Sequence, residues 1–116
     1  MSSDKPDDLT ILWTTPDLVT SAEMVLLYAL NAKKREWWNT VTVVVWGGSA
    51  ELISRDENIR SSVKDCIAAG VMFSACKKCT DDLGITDSLK EIGIEVRYWG
   101  EPLTRLLKSG ARLITV

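Results

Sequence analysis

Residues 41–46 read VTVVVW, and no other stretch restricts the fold so strongly. β-Branched side chains crowd the preceding turn of a helix and pack well on a pleated surface, so the run is a strand. It is apolar without alternation, as is VMFSA at 71–75. That pattern marks strands covered on both faces, the habit of parallel sheets. LTILW (9–13), IEVRYW (94–99) and ARLITV (111–116) are three further short apolar runs bounded by turn residues. Helical patterns fill the gaps. Thr20 with Glu23 fits a capping box opening a helix over about 20–35, apolar on most sides and expected to be largely buried. A helical turn over 49–54 follows Gly47-Gly48. Asp56 caps a helix that aligns Ile59, Val63, Cys66 and Ile67 on one face and stops at Gly70. Residues 77–92 read as helix broken near Gly84. Pro102 stands in the first turn of a helix closed by Gly110. Five strands alternating with helices predict a doubly wound α/β fold with a parallel sheet.

The chain has 116 residues, which suits one domain over 9–116 behind a lead-in over 1–8 expected to be disordered. Charged residues make up 26%, mixed in sign, with a formal net charge of −2 and no basic stripe, which argues against nucleic acid as partner. No apolar run approaches the roughly 18 residues of a membrane span. The polar, acidic N-terminus does not read as a signal peptide. A cytoplasmic setting is expected, where thiols stay reduced. Histidine is absent, which removes the commonest general base and the commonest metal ligand at once. Neither a metal site nor a cofactor is predicted.

In a doubly wound sheet, sites form beyond the carboxyl ends of the strands. Four segments fall there: Thr14-Thr15-Pro16, Trp46-Gly47-Gly48-Ser49, Cys76-Lys77-Lys78-Cys79 and Trp99-Gly100. Cys76 and Cys79 are the candidate reactive pair. Thr14, Thr15, Trp46, Gly47, Gly48, Ser49, Lys77, Trp99 and Gly100 are the candidate lining. Cys76 stands at a helix start beside Lys77 and Lys78, where free N–H groups and positive charge favour a thiolate, although Asp81 and Asp82 act the other way. Cys76 is therefore expected to be the more reactive thiol. The opposing reading is two small residues packed at a strand–helix junction, since free cysteine is often buried. Cys66, on the apolar stripe of its helix, reads as core. The Gly47-Gly48-Ser49 loop offers N–H groups to an anion or is merely a strand exit; it lacks the lysine and spacing of a P-loop.

Trp46-Gly47-x-Ser49, AAGVMFSACKKCTDDLGI and GIEVRYWGEPLTRLLKSG together resemble the DsrE/DsrF-like family of small sulfur-handling proteins, over nearly the whole chain after residue 8. The resemblance implies a three-layer α/β/α sandwich whose five-stranded parallel sheet has the order 4-3-2-1-5. It implies homo- or hetero-oligomers. It also implies, for some members, a cysteine persulfide that relays sulfane sulfur, a role that falls here on Cys76; Cys79, one helical turn on, is within reach to assist release.

Three functions stay open. The first is a sulfur-transfer protein with sulfur donor and acceptor partners. The second is a thiol–disulfide redox protein, although Pro102 leads a helix rather than a loop facing the cysteines. The third is a binding module without chemistry. ARLITV at a sheet edge, with Trp37-Trp38 as added apolar area, predicts a homo-oligomer, dimer or trimer.

Overall fold

The computed structural model describes residues 7–116. Its sheet contains β1 (Asp8–Trp13), β2 (Thr40–Val45), β3 (Met72–Cys76), β4 (Glu95–Arg97) and β5 (Arg112–Thr115). Every pairing is parallel and the order is β4-β3-β2-β1-β5, as expected. Of the expected lead-in, residues 1–6 lie outside the described residues. Asp8 belongs to β1 instead, opposite Thr40, whose hydroxyl donates to its carboxylate at 2.7 Å.

The first helix runs in three contiguous pieces: α1 (Leu18–Thr20), a π-helical stretch (Ser21–Leu26) and α2 (Leu27–Lys34). Its cap is Asp17, whose carboxylate accepts the Thr20 N–H at 2.8 Å, rather than the expected Thr20–Glu23 box. It is also less buried than its composition suggests. Val25, Leu26, Ala29 and Ala32 meet the sheet, while Leu18, Val19, Met24 and Leu27 face out. A helix on one sheet face buries one stripe, whatever its other sides carry. Then come α3 (Gly48–Arg55), α4 (Glu57–Ala68), α5 (Lys77–Leu83), α6 (Thr86–Glu91) and α7 (Gly100–Lys108). Asp56 caps α4 as its sequence predicts, accepting the Ile59 N–H at 2.9 Å. Gly84 ends α5 in the left-handed conformation, which its missing Cβ allows.

Strands β1 to β4 step in one direction and β5 returns to the far side of β1. Right-handed crossovers then put the helices of the first three connections on one face and α7 on the other. The first face buries Ile11, Trp13, Val43, Val45, Phe73 and Ala75 in the main core. On the second face Val44, Cys76 and Trp99 form a smaller core, with Leu103 and Leu106 of α7 packed against it. No residue of α7 is fully buried. The second layer is thus a single helix, and Met72 at the other end of that face is 52% exposed.

Candidate functional site

The carboxyl edge of the sheet gathers the loops named above, but sorts them. At the topological switch point between β1 and β5, the backbone N–H groups of Thr14 and Thr15 both donate to the Val116 carbonyl, at 2.7 and 3.2 Å. The Thr14 hydroxyl donates there as well. These bonds tie Thr14 to β5, so the loop is a brace there rather than a binding crevice.

The opening lies one strand over. A cleft of about 440 Å³ is lined by Pro16, Gly47, Gly48, Glu51, Cys79, Asp82 and Leu83. Gly48 has a packing reason to lack a side chain: a Cβ there falls 2.8 Å from Pro16 Cδ and from the Thr14 carbonyl. Gly47 sits at φ 71°, which favours glycine. Ser49 is buried and belongs to the scaffold. Its hydroxyl donates to the Trp13 carbonyl and accepts the Trp46 N–H at 3.1 Å. The loop is therefore turn and packing, and the cleft beside it carries two carboxylates and no cationic side chain. It is not built for an anion.

The two cysteines of the pair occupy different environments. Cys76 ends β3 and points to the second face, 4% exposed, against Val44 and Trp99. Cys79 lies one turn on, half-buried, with its thiol at the cleft. Its proton is held above the usual thiol range: burial pushes it up, the Gly47 amide pulls it down, and Cys76 and Asp82 push it up again. Cys79 stands three residues on at the helix start and packs against the small core that holds Cys76, so the two thiols are neighbours. The lysines lend less than expected. Lys77 is paired with Asp81 and Lys78 with Asp82, each at 2.5 Å. Lys77 also points away from the cleft, lining a depression with Asp81, Gly84, Thr86, Asp87 and Lys90, and its ammonium lies 5.7 Å from the Tyr98 ring.

Trp99 is buried beside Cys76 and donates its indole N–H to Ser74 Oγ at 2.7 Å. Ser74 in turn donates to Glu95 at 2.8 Å. Trp46 packs, partly buried, against the same small core. Gly100 is exposed at the start of α7. Cys66 is core: its thiol donates to the Leu26 carbonyl at 3.6 Å and burial pushes it up to about 11. The structure therefore brings Gly47, Gly48 and Cys79 to one cleft. It puts Trp46, Trp99 and Cys76 in the layer behind, and leaves Thr14, Thr15, Ser49, Lys77 and Gly100 outside both. Pro16, Glu51, Asp82 and Leu83 complete the cleft and were not among the expected lining. Asp82 and Leu83 follow Cys79 by three and four residues, so helical periodicity alone put them on its face. Among the described residues no group of three or more His, Cys, Asp or Glu side chains is placed to hold a metal. No helix of the described residues is long and apolar enough to cross a membrane.

Fold and edge together define a small parallel α/β protein with a cysteine pair at the carboxyl end of its third strand. No family model matches the chain, and no curated protein does. Among solved structures it is similar to the conserved protein of unknown function BT1422 from Bacteroides thetaiotaomicron, at 34% identity and TM-score 0.96 over 100% of both chains. The chain belongs to the family of that protein. It also shares the fold of the ychN protein from E. coli and of MTH1491 from Methanobacterium thermoautotrophicum. The first is 19% identical with TM-score 0.70, the second 20% identical with TM-score 0.69. Each alignment covers 93% of this chain and 97% of the other.

Proposed function

We propose that this is a DsrE/DsrF-like sulfur-transfer protein whose Cys76–Cys79 pair carries sulfane sulfur as a persulfide. The observation that carries the reading is the placing of the pair at the edge of an open cleft, which Cys79 lines while packing against the small core that holds Cys76. Thiolate attack on a sulfur atom needs no general base once the proton is gone, which suits a chain without histidine. The reaction exchanges one S–S bond for another, so the chain needs no metal and no cofactor for it. The setting is the cytoplasm, where such thiols stay reduced, and the partners are proteins that give up and take the sulfur.

The same placing supports a second reading, thiol–disulfide exchange, because two neighbouring thiols can close a disulfide. Intact mass separates the two after incubation of the reduced chain with a neutral alkyl hydropersulfide. The sulfur-transfer reading expects a gain of one sulfur atom that also forms in Cys66→Ala and is absent from the double variant Cys76→Ser/Cys79→Ser. Loss of two hydrogens without added sulfur favours the redox reading. An unchanged mass leaves a binding module.

The working form is a homo-oligomer, dimer or trimer, joined through the β5 edge. Of the two edge strands, β4 has three residues and carries Glu95 and Arg97, the charges that discourage pairing. β5 carries only Arg112 and exposes Ile114 and Thr115.

A further inference from the structure

We propose that sulfane sulfur enters the pair through Cys79, at the cleft, and passes inward to Cys76, where it is held beneath α7. This rests on the sulfur-carrier reading above and reverses the order in which the chain presents the two cysteines. Two observations carry it. Cys79 is the cysteine that lines the cleft, between Gly47 and Leu83, so a donor sulfur meets it first. Cys76 is walled in by Val44 and Trp99 and by the Leu103 and Leu106 side of α7, at 4% exposure. A bulky or protein-borne donor reaches the first and not the second. A buried thiol in apolar surroundings is also a poor target for outside reagents and a good place to keep a labile sulfur.

The chemistry balances in two exchanges. In the first, the Cys79 thiolate attacks the outer sulfur of a hydropersulfide R–S–SH. A bond forms between Cys79 Sγ and that sulfur, the donor S–S bond breaks, and R–S⁻ leaves and takes up the proton that Cys79 gave up. In the second, Cys76 attacks the outer sulfur now on Cys79. The new bond is to Cys76 Sγ, the bond to Cys79 Sγ breaks, and the proton moves from Cys76 to the released Cys79. Neither step needs an oxidant or a reductant. Cys79 packs against the small core that holds Cys76, which keeps the two thiols neighbours for the second step. The Gly47 amide beside Cys79 offers a fixed dipole to the charge that resides there in both steps.

Trypsin cleaves after Lys64, Lys77 and Lys78, so Cys79 falls on one peptide and Cys76 on another that it shares with Cys66; the mapping therefore uses the Cys66→Ala chain. The full chain is pulsed with a neutral alkyl hydropersulfide, trapped by rapid alkylation and mapped over time. Sulfur is expected on the Cys79 peptide first and on the Cys76 peptide later. In Cys79→Ser, loading falls about tenfold or more, since only the buried thiol remains. In Cys76→Ser the adduct stays on Cys79 and added thiol strips it faster than from the wild type. The Cys66→Ala time course keeps the test valid if a further variant is misfolded. Sulfur appearing first on Cys76, or Cys79→Ser loading at the wild-type rate on that peptide, overturns the entry order and leaves the carrier reading standing. Sulfur on neither peptide overturns both.

Discussion

At the scale of single residues, the two thiols differ because of what surrounds them, not because of their place in the C-x-x-C spacing. A helix start and two lysines point to Cys76 as the reactive thiol. The structure answers with burial for Cys76 and with carboxylate partners for both lysines. Reaction with a small neutral alkylating agent is therefore expected in the order Cys79, then Cys76 and Cys66. Because the Cys79 proton is held above the usual thiol value of 9.0, only a small fraction is thiolate at neutral pH. Its labelling rate is expected to rise about tenfold per pH unit from pH 7 and to show no plateau by pH 9. Rates measured by peptide mapping decide it. A plateau near pH 7 means the thiol is already ionised and the environment described for Cys79 is wrong.

At the scale of elements, the cleft depends on how closely α3 starts against the loop after β1. Gly48 makes that approach possible, and an added methyl meets Pro16 and a backbone carbonyl that have little room to yield. Gly48→Ala is expected to cost ~1–3 kcal/mol, the usual range for overpacking. A lower denaturation midpoint, with faster labelling of Cys79, would show that the loop has been pushed off the cleft. An unchanged midpoint would show that the loop gives way freely. Strand runs, the Asp56 cap, the Gly84 stop and the parallel character of the sheet were legible because they depend on short-range pattern, while the strand order came only from the family resemblance. The cleft was legible only in part. Glycines and the second cysteine mark themselves in a sequence, whereas Glu51 and Pro16 reach the cleft through the meeting of two loops distant in the chain. The Asp17 cap was missed because Thr20 offers an equally good local motif. The structure favours the cap that follows directly on Pro16.

At the scale of the whole molecule, the sheet is unevenly dressed. One face carries the helices of three connections, while the other has α7 alone, with Leu107 59% and Tyr98 64% exposed beside it. The little-charged β5 edge closes one end of this sheet, opposite β4. Light scattering is expected to give a mass of two or three chains of 12.9 kDa, and Ile114→Lys, which places a charge on the edge strand, is expected to shift it toward one. A monomer mass across a wide range of concentrations overturns the assembly. The same unevenness divides the indole rings. Trp13 is sealed in the large core on the first face, and Trp37 and Trp38 sit near Tyr28. Trp46 and Trp99 alone pack around the Cys76–Cys79 pair. Sulfur is an effective quencher of an excited indole at contact distance. The molecule therefore carries an optical gauge: a change of state at the pair acts first on two of its five indoles, and on their emission.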